Sequence, residues 1–230
     1  MAGEQRVYAL VTWRKAGALR WLGHLDIART FDRAVRRARL PVVYSEGFSP
    51  SAAISFADAL ALGVGGENEL CLIRLERPMA SEALAEMLAE QMPEQLEIVG
   101  ARVLPHGQGK PFSRLSHAEY EIELWPVPGV SVETFKEAVR RVRQAGALPV
   151  TRETKRRVRE IDIKPHLHAL HLTEPDADHP GVRLQMSLGY GQERLVKPPE
   201  VLSCIAQQLT ELTGKQIALQ PRLTTRLGLY

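Results

Sequence analysis

Apolar and polar positions alternate at the start of the chain. From Arg6 to Arg14, Val7, Ala9, Val11 and Trp13 interleave with Tyr8, Leu10 and Thr12, the two-residue period of a strand. From Leu25 to Ala38 the period changes. Ala28, Phe31, Val35 and Ala38 recur at helical spacing while Arg29, Asp32, Arg33, Arg36 and Arg37 take the other side, so an amphipathic helix is predicted, stopped by Pro41. Val42-Val43-Tyr44 begins a β-type segment, which Gly47-Phe48-Ser49-Pro50 interrupts and Ala53-Ile54-Ser55-Phe56 resumes. Leu70 to Leu75 reads as a strand, Ser81 as the N-cap of a helix carrying Leu84, Met87 and Leu88, and Leu96 to Val103 as a further strand.

That order is strand, helix, strand, strand, helix, strand, the βαββαβ or ferredoxin-like arrangement, in which two helices cover one face of an antiparallel sheet. After Pro105 to Ser116, rich in Gly, Pro and polar residues, it starts again with a strand at Glu119 to Trp125 and a helix capped by Ser131. β-type alternation follows over Val158 to Leu172 and over Val182 to Leu188, then a helix over Pro199 to Leu212 and a last strand from Ile217 to Leu223 or beyond. The expectation is an α+β protein of two ferredoxin-like halves with antiparallel sheets, 1–105 and 117–230, joined by a linker at 106–116.

Composition narrows the class. With 230 residues, 44% of them hydrophobic, the chain can bury a core, and a net charge of +3 permits an anionic partner without demanding one. Aromatic residues make up only 6%, so contact with RNA is expected to rest on shape and phosphate more than on base stacking. Cys71 and Cys204 lie in apolar runs and read as buried thiols of a reducing compartment. With no Cys-x-x-Cys pair and no three-cysteine cluster, no iron–sulfur centre and no other cofactor is expected. No apolar stretch approaches the roughly 18 residues that span a bilayer, and Met1 to Arg6 lacks a signal pattern; the expectation is a cytoplasmic protein without membrane contact.

Candidate chemistry sits in four places. Arg29, Arg33, Arg36 and Arg37 share one side of the first helix, with Arg14, Lys15 and Arg20 before them; such a stripe suits a phosphate backbone, or is a solvated helix face. A second basic run, Arg152, Lys155, Arg156, Arg157 and Arg159, follows a helix carrying Lys136, Arg140, Arg141 and Arg143. Gly23-His24-Leu25-Asp26 opens the first helix, and Tyr44-Ser45-Glu46-Gly47-Phe48 follows it. There backbone N–H groups favour anions and His24 is the candidate general base, unless Asp26 and His24 serve only as local caps. His166 and His168 would share a strand face with His171 opposite; with no third converging ligand, no metal site is expected.

The chain resembles the radical-SAM-linked protein family of unknown function, whose members occur free or fused C-terminal to a radical SAM domain. The resemblance is carried by Arg14-Lys15-x4-Arg20-Trp21-Leu22-Gly23-His24-Leu25-Asp26, by Arg33-Ala34-Val35-Arg36-Arg37-Ala38 and Leu40-Pro41, and by Tyr44 to Phe48 with Ile54-Ser55-Phe56 and Leu62-Gly63-Val64. In the second half it is carried by Arg159-Glu160-Ile161-Asp162-Ile163-Lys164-Pro165. Where the family has an Asn-Pro-His-Pro-basic stretch, this chain reads Ser49-Pro50-Ser51-Ala52-Ala53 and lacks the His and the basic residue. The resemblance implies a radical SAM protein as partner in trans.

The leading expectation is therefore a non-catalytic accessory module that binds RNA or another anionic substrate and associates with a radical SAM enzyme. Its contact residues would be Arg14, Lys15, Arg20, His24, Asp26, Arg29, Arg33, Arg36, Arg37, Tyr44, Ser45, Phe48, Arg159, Glu160 and Asp162. Two alternatives stand beside it. One is a metal-independent RNA-processing enzyme of the ferredoxin-like RAMP type with His24 as base. The other is a scaffold that contacts only protein.

Overall fold

The opening alternation forms β1 (Val7–Lys15), with Val7, Ala9, Val11 and Trp13 buried on one face. It leads through a 3-10 turn (Gly17–Trp21) into α1 (His24–Arg37), then β2 (Ile54–Phe56), β3 (Val64–Leu75), α2 (Ser81–Ala89) and β4 (Leu96–Leu104). A second series follows: β5 (His117–Leu124), α3 (Val132–Gln144), β6 (Pro149–Thr154), β7 (Arg157–Asp162), β8 (Leu167–Thr173), β9 (Arg183–Gly189), α4 (Pro198–Thr213) and β10 (Pro221–Leu229). The computed structural model describes residues 7–105, 111–154, 157–190 and 196–230. The chain is a mixed α+β protein with a mostly antiparallel sheet. It divides into two compact units, one running to Arg114 and taking in Leu229, the other running from Leu115 to Gly228 and taking in Tyr230.

In the first unit the strands lie in the order β4-β1-β3-β2, every neighbour antiparallel. The apolar faces of α1 and α2 bring Ile27, Phe31, Ala34, Val35, Leu84 and Leu88 onto Val7, Ala9, Val11, Cys71, Ile73 and Leu75. Trp13, Phe31 and Phe56 meet edge to face at 5.3 to 5.9 Å, and burying a ring such as Phe31 contributes about 2–3 kcal/mol. Ser81 is the first helical residue of α2 rather than its cap; its Oγ accepts from the Val103 N–H at 3.0 Å and ties the helix start to β4.

In the second unit the order is β10-β5-β9-β8, and β6 and β7 form a separate hairpin between α3 and β8. The alternation expected as one stretch from Val158 to Leu172 is divided: β7 ends at Asp162, Pro165 sits in a 3-10 turn (Lys164–His166), and β8 pairs with β9. The last strand starts later than expected, at Pro221, because the Ile217 N–H is held by Thr210 Oγ1 of α4 at 3.0 Å. Gly181 has no room for a side chain; an added Cβ would stand 1.8 Å from the Leu124 carbonyl oxygen. Of the expected linker, 106–110 lies outside the described residues and Pro111–Arg114 is a 3-10 turn. Among the described residues no helix is long and apolar enough to cross a membrane.

Candidate functional site

The four arginines of α1 do not act as one stripe. Arg36 turns back along the helix, its Nε donating to Asp32 Oδ2 at 2.8 Å and its Nη2 to Asp32 Oδ1 at 3.3 Å. The same guanidinium donates to the Pro50 carbonyl and covers the Tyr44 ring, 4.4 Å from its centroid. Asp32 Oδ1 also accepts the Ala52 N–H at 2.7 Å. The Arg36 hydrogen bond, with help from the Ala52 amide, holds the Asp32 carboxyl below the usual carboxylate range despite partial burial. Arg37 Nη2 donates to the Gln91 carbonyl. Arg36 and Arg37 are thus struts between α1 and distant backbone.

Arg29 and Arg33 face solvent. Arg29 Nη1 meets Asp26 Oδ1 at 3.2 Å in an exposed pair, and Arg33 has no ion-pair partner among the described residues. Both line a groove of about 550 Å³ between α1 and the segment from Ser51 to Phe56, together with His24 and Asp32. His24 is the first residue of α1, its ring edge-on to Phe56 at 5.3 Å. Gly23 precedes it as an N-cap without a side-chain bond, so the capping role considered for Asp26 is not taken; its carboxylate goes to Arg29 instead. Arg33 also borders a second hollow of about 510 Å³ on the other flank of α1, where Glu90 brings a negative charge.

Loop 44–52 forms the far wall. Ser45 N–H donates to the Ser51 carbonyl at 2.9 Å and Ser51 N–H to Ser45 Oγ at 3.0 Å, so the base is closed on itself and on α1. Burial pushes the Tyr44 phenol up, partly opposed by the Arg36 charge. Phe48, at the tip, is fully exposed.

The other predicted residues stand apart from this groove. Arg14 pairs with Glu67 at 2.7 Å and with Glu97 at 3.7 Å. Lys15, expected on a basic surface, is 1% exposed, its Nζ donating to the Arg20 carbonyl at 3.3 Å; the Trp13 side of β1 is the inner side, and the ammonium goes in with it. The Arg20 guanidinium lies over the Trp21 ring at 5.6 Å. In the second unit Arg159 and Glu160 are exposed on β7. Asp162 is structural: its Oδ1 accepts the Leu148 N–H at 2.7 Å and the Lys164 N–H at 2.9 Å, and these bonds lower its carboxyl. Arg152 is held by Glu200, and Lys136 pairs with Glu174 at 2.6 Å, while Lys155 and Arg156 lie outside the described residues.

One further correction concerns the histidines of β8. His168 and His171 are both exposed beside one hollow of about 210 Å³, because a register shift between Leu167 and Ala169 changes the parity of β8. Among the described residues no group of three or more His, Cys, Asp or Glu side chains is placed to hold a metal ion. Groove-lining Asp32, Ser51 and Phe56 were not singled out from the sequence as contact residues. The Asp32–Arg36 spacing of four was the available signal, whereas Ser51 and Phe56 reach the groove only through the loop closure.

The model of a family described as an uncharacterized protein conserved in bacteria, DUF2344, matches residues 9–198. The chain belongs to that family. All of the groove just described lies within the part of this DUF2344 chain that matches. No curated protein matches it. Among solved structures it is similar to a chain of a Cbf5-Nop10-Gar1 complex, at 12% identity and a TM-score of 0.50, covering 95% of this chain and 47% of that one. A chain of an archaeal box H/ACA sRNP Nop10-Cbf5 complex is similar at 12% identity and a TM-score of 0.46, covering 95% and 46%. The DUF2344 chain thus spans about half the length of each, and the first likeness supports the mixed α+β fold alone.

Proposed function

We propose that this protein is a non-catalytic accessory module that binds RNA along the exposed side of α1 and works with a radical SAM enzyme in trans. The observation that carries the reading is Arg33, a guanidinium with no ion-pair partner among the described residues, in an open groove beside Arg29, whose partner Asp26 is itself solvent-exposed. An exposed ion pair is worth little, so a phosphate can displace Asp26 from Arg29 at small cost, and a guanidinium can hold it bidentately. The uncapped start of α1 adds N–H groups and the positive end of the helix dipole. Among the described residues His24 borders the groove with an aromatic contact and no polar partner, whereas a general base is ordinarily oriented by a second polar group; that favours binding over catalysis.

The strand orders β4-β1-β3-β2 and β10-β5-β9-β8 support reading both units as ferredoxin-like, the second with the β6–β7 hairpin inserted. The radical SAM association rests on the sequence resemblance. It fits a chain with two cysteines, which would leave cluster chemistry to the partner.

The test is purification of the tagged protein from native bacterial lysate, with co-purifying RNA and protein analysed together. RNA is expected with the wild type and at least about tenfold less with Arg29→Glu/Arg33→Glu. With a recovered RNA, Arg29→Ala/Arg33→Ala should flatten the plot of log affinity against log salt by about 1.4, about 0.7 for each lost phosphate contact on a single strand. Equal RNA in wild type and variant would refute the reading, and a protein partner recovered without RNA would favour the scaffold.

A further inference from the structure

We infer that Trp21, three residues before α1 in the chain, is a stacking platform for an unpaired RNA base; this rests on the reading of the α1 groove as an RNA site. Trp21 is 63% exposed, although indole is among the most costly surfaces to leave in water. It is also firmly seated. The 3-10 turn that carries it is tied down by the Ala18 and Leu19 N–H groups, which donate to Gln95 Oε1 at 2.8 and 3.3 Å, and by the Ala16 N–H on the Gln95 carbonyl at 3.0 Å. The Arg20 carbonyl accepts both Lys15 Nζ and, at 3.0 Å, the Gly63 N–H. Gly63 has φ +80°, and an added Cβ there would stand 2.9 Å from Trp21 Cζ3, so the glycine lets the chain close against the indole.

A large aromatic group whose supporting turn is fixed and which is still 63% exposed has already lost much of the freedom that binding would otherwise cost, which is how recognition surfaces present their anchors. Charge decides the occupant. Arg20 lies over the indole, and Arg29 and Arg33 come next in the chain on α1, about 6 Å apart by helical rise, so the cations nearest Trp21 in sequence suit phosphate. An aromatic face beside a basic track is the arrangement that binds single-stranded nucleic acid, whose bases are free to stack; in a duplex they are not.

The probe is an oligoadenylate strand of about a dozen nucleotides, within the span that basic single-strand tracks cover. It is offered single-stranded or annealed to oligouridylate, to protein carrying Trp125→Phe so that Trp21 is the exposed indole. Binding should quench the tryptophan fluorescence in step with the anisotropy of the labelled strand, and the duplex should not. Trp21→Ala should lose the quench and about tenfold in affinity, while Trp21→Phe keeps most of the affinity and controls for folding. Full affinity in Trp21→Ala overturns the stacking platform; if Arg29→Ala/Arg33→Ala still weakens the strand, the phosphate reading survives and Trp21 is left for a protein contact. No binding by the unmutated groove overturns both.

Discussion

Asp32 sits one helical turn before Arg36 and accepts three hydrogen bonds, two from that guanidinium and one from the Ala52 amide, and so fixes the wall of the groove. Its folded-state pKa is depressed, first by the Arg36 hydrogen bond. The stabilisation is therefore present above the unfolded aspartate pKa and is lost as pH falls through the folded value. Asp32→Ala should cost about 1 kcal/mol near neutrality, a value reduced for solvent screening, and the difference in melting between variant and wild type should close in acid. A penalty that persists unchanged at pH below about 3 would mean that packing, not the carboxylate, holds the loop. Lys15 carries a different lesson. Its odd-numbered place in the alternation of Val11 and Trp13 puts it on the inner face, but its charge, next to that of Arg14, suggests the surface. Parity puts Lys15 inside, where its ammonium donates to the Arg20 carbonyl.

Among the elements, α1 and α3 are the most legible in the sequence, since each carries a full apolar stripe and α3 has the expected cap, Ser131 Oγ accepting the Thr134 N–H at 3.1 Å. The β6–β7 hairpin is the least. Val158 to Leu172 alternates almost throughout, and only Pro165 hints at the break. What separates the hairpin is hydrogen bonding at its base: the Asp162 side chain on the Leu148 and Lys164 amides, the Ile163 backbone N–H on the Leu148 carbonyl at 3.0 Å, and Lys164 Nζ on carbonyls at the end of α3. Asp162→Ala should leave the first unit unaltered while amide exchange at Leu148 and Lys164 rises on the order of tenfold, measured by native-state hydrogen exchange. Unchanged protection would assign the hairpin's order to Ile163, which is fully buried.

For the molecule as a whole, five carboxylates share one direction. Asp32, Asp162, Asp176 and Glu200 lie below the usual range and Glu137 is lowered to about 2, chiefly by hydrogen bonds from Arg140 and Arg141. For Glu200, burial pushes upward most strongly, yet the Arg152 and Lys197 bonds together outweigh it. All five contribute stability above the unfolded carboxylate pKa near 4 and lose it as pH falls through their folded values. Thermal stability should be flat from neutrality to about pH 5 and fall between about pH 4 and 2; a rise on acidification would contradict the assignment. The α+β class, the order of strands and helices through the first unit, and the inner faces of β1, α1 and α3 are legible in the chain alone, because they follow from periods of two and 3.6 residues within a single segment. Which arginines are free is settled by contacts between distant segments. Arg36, Arg37 and Arg152 find their partners at Pro50, Gln91 and Glu200, remote positions that only folding brings within hydrogen-bond reach, and what it leaves uncommitted beside His24 is Arg33.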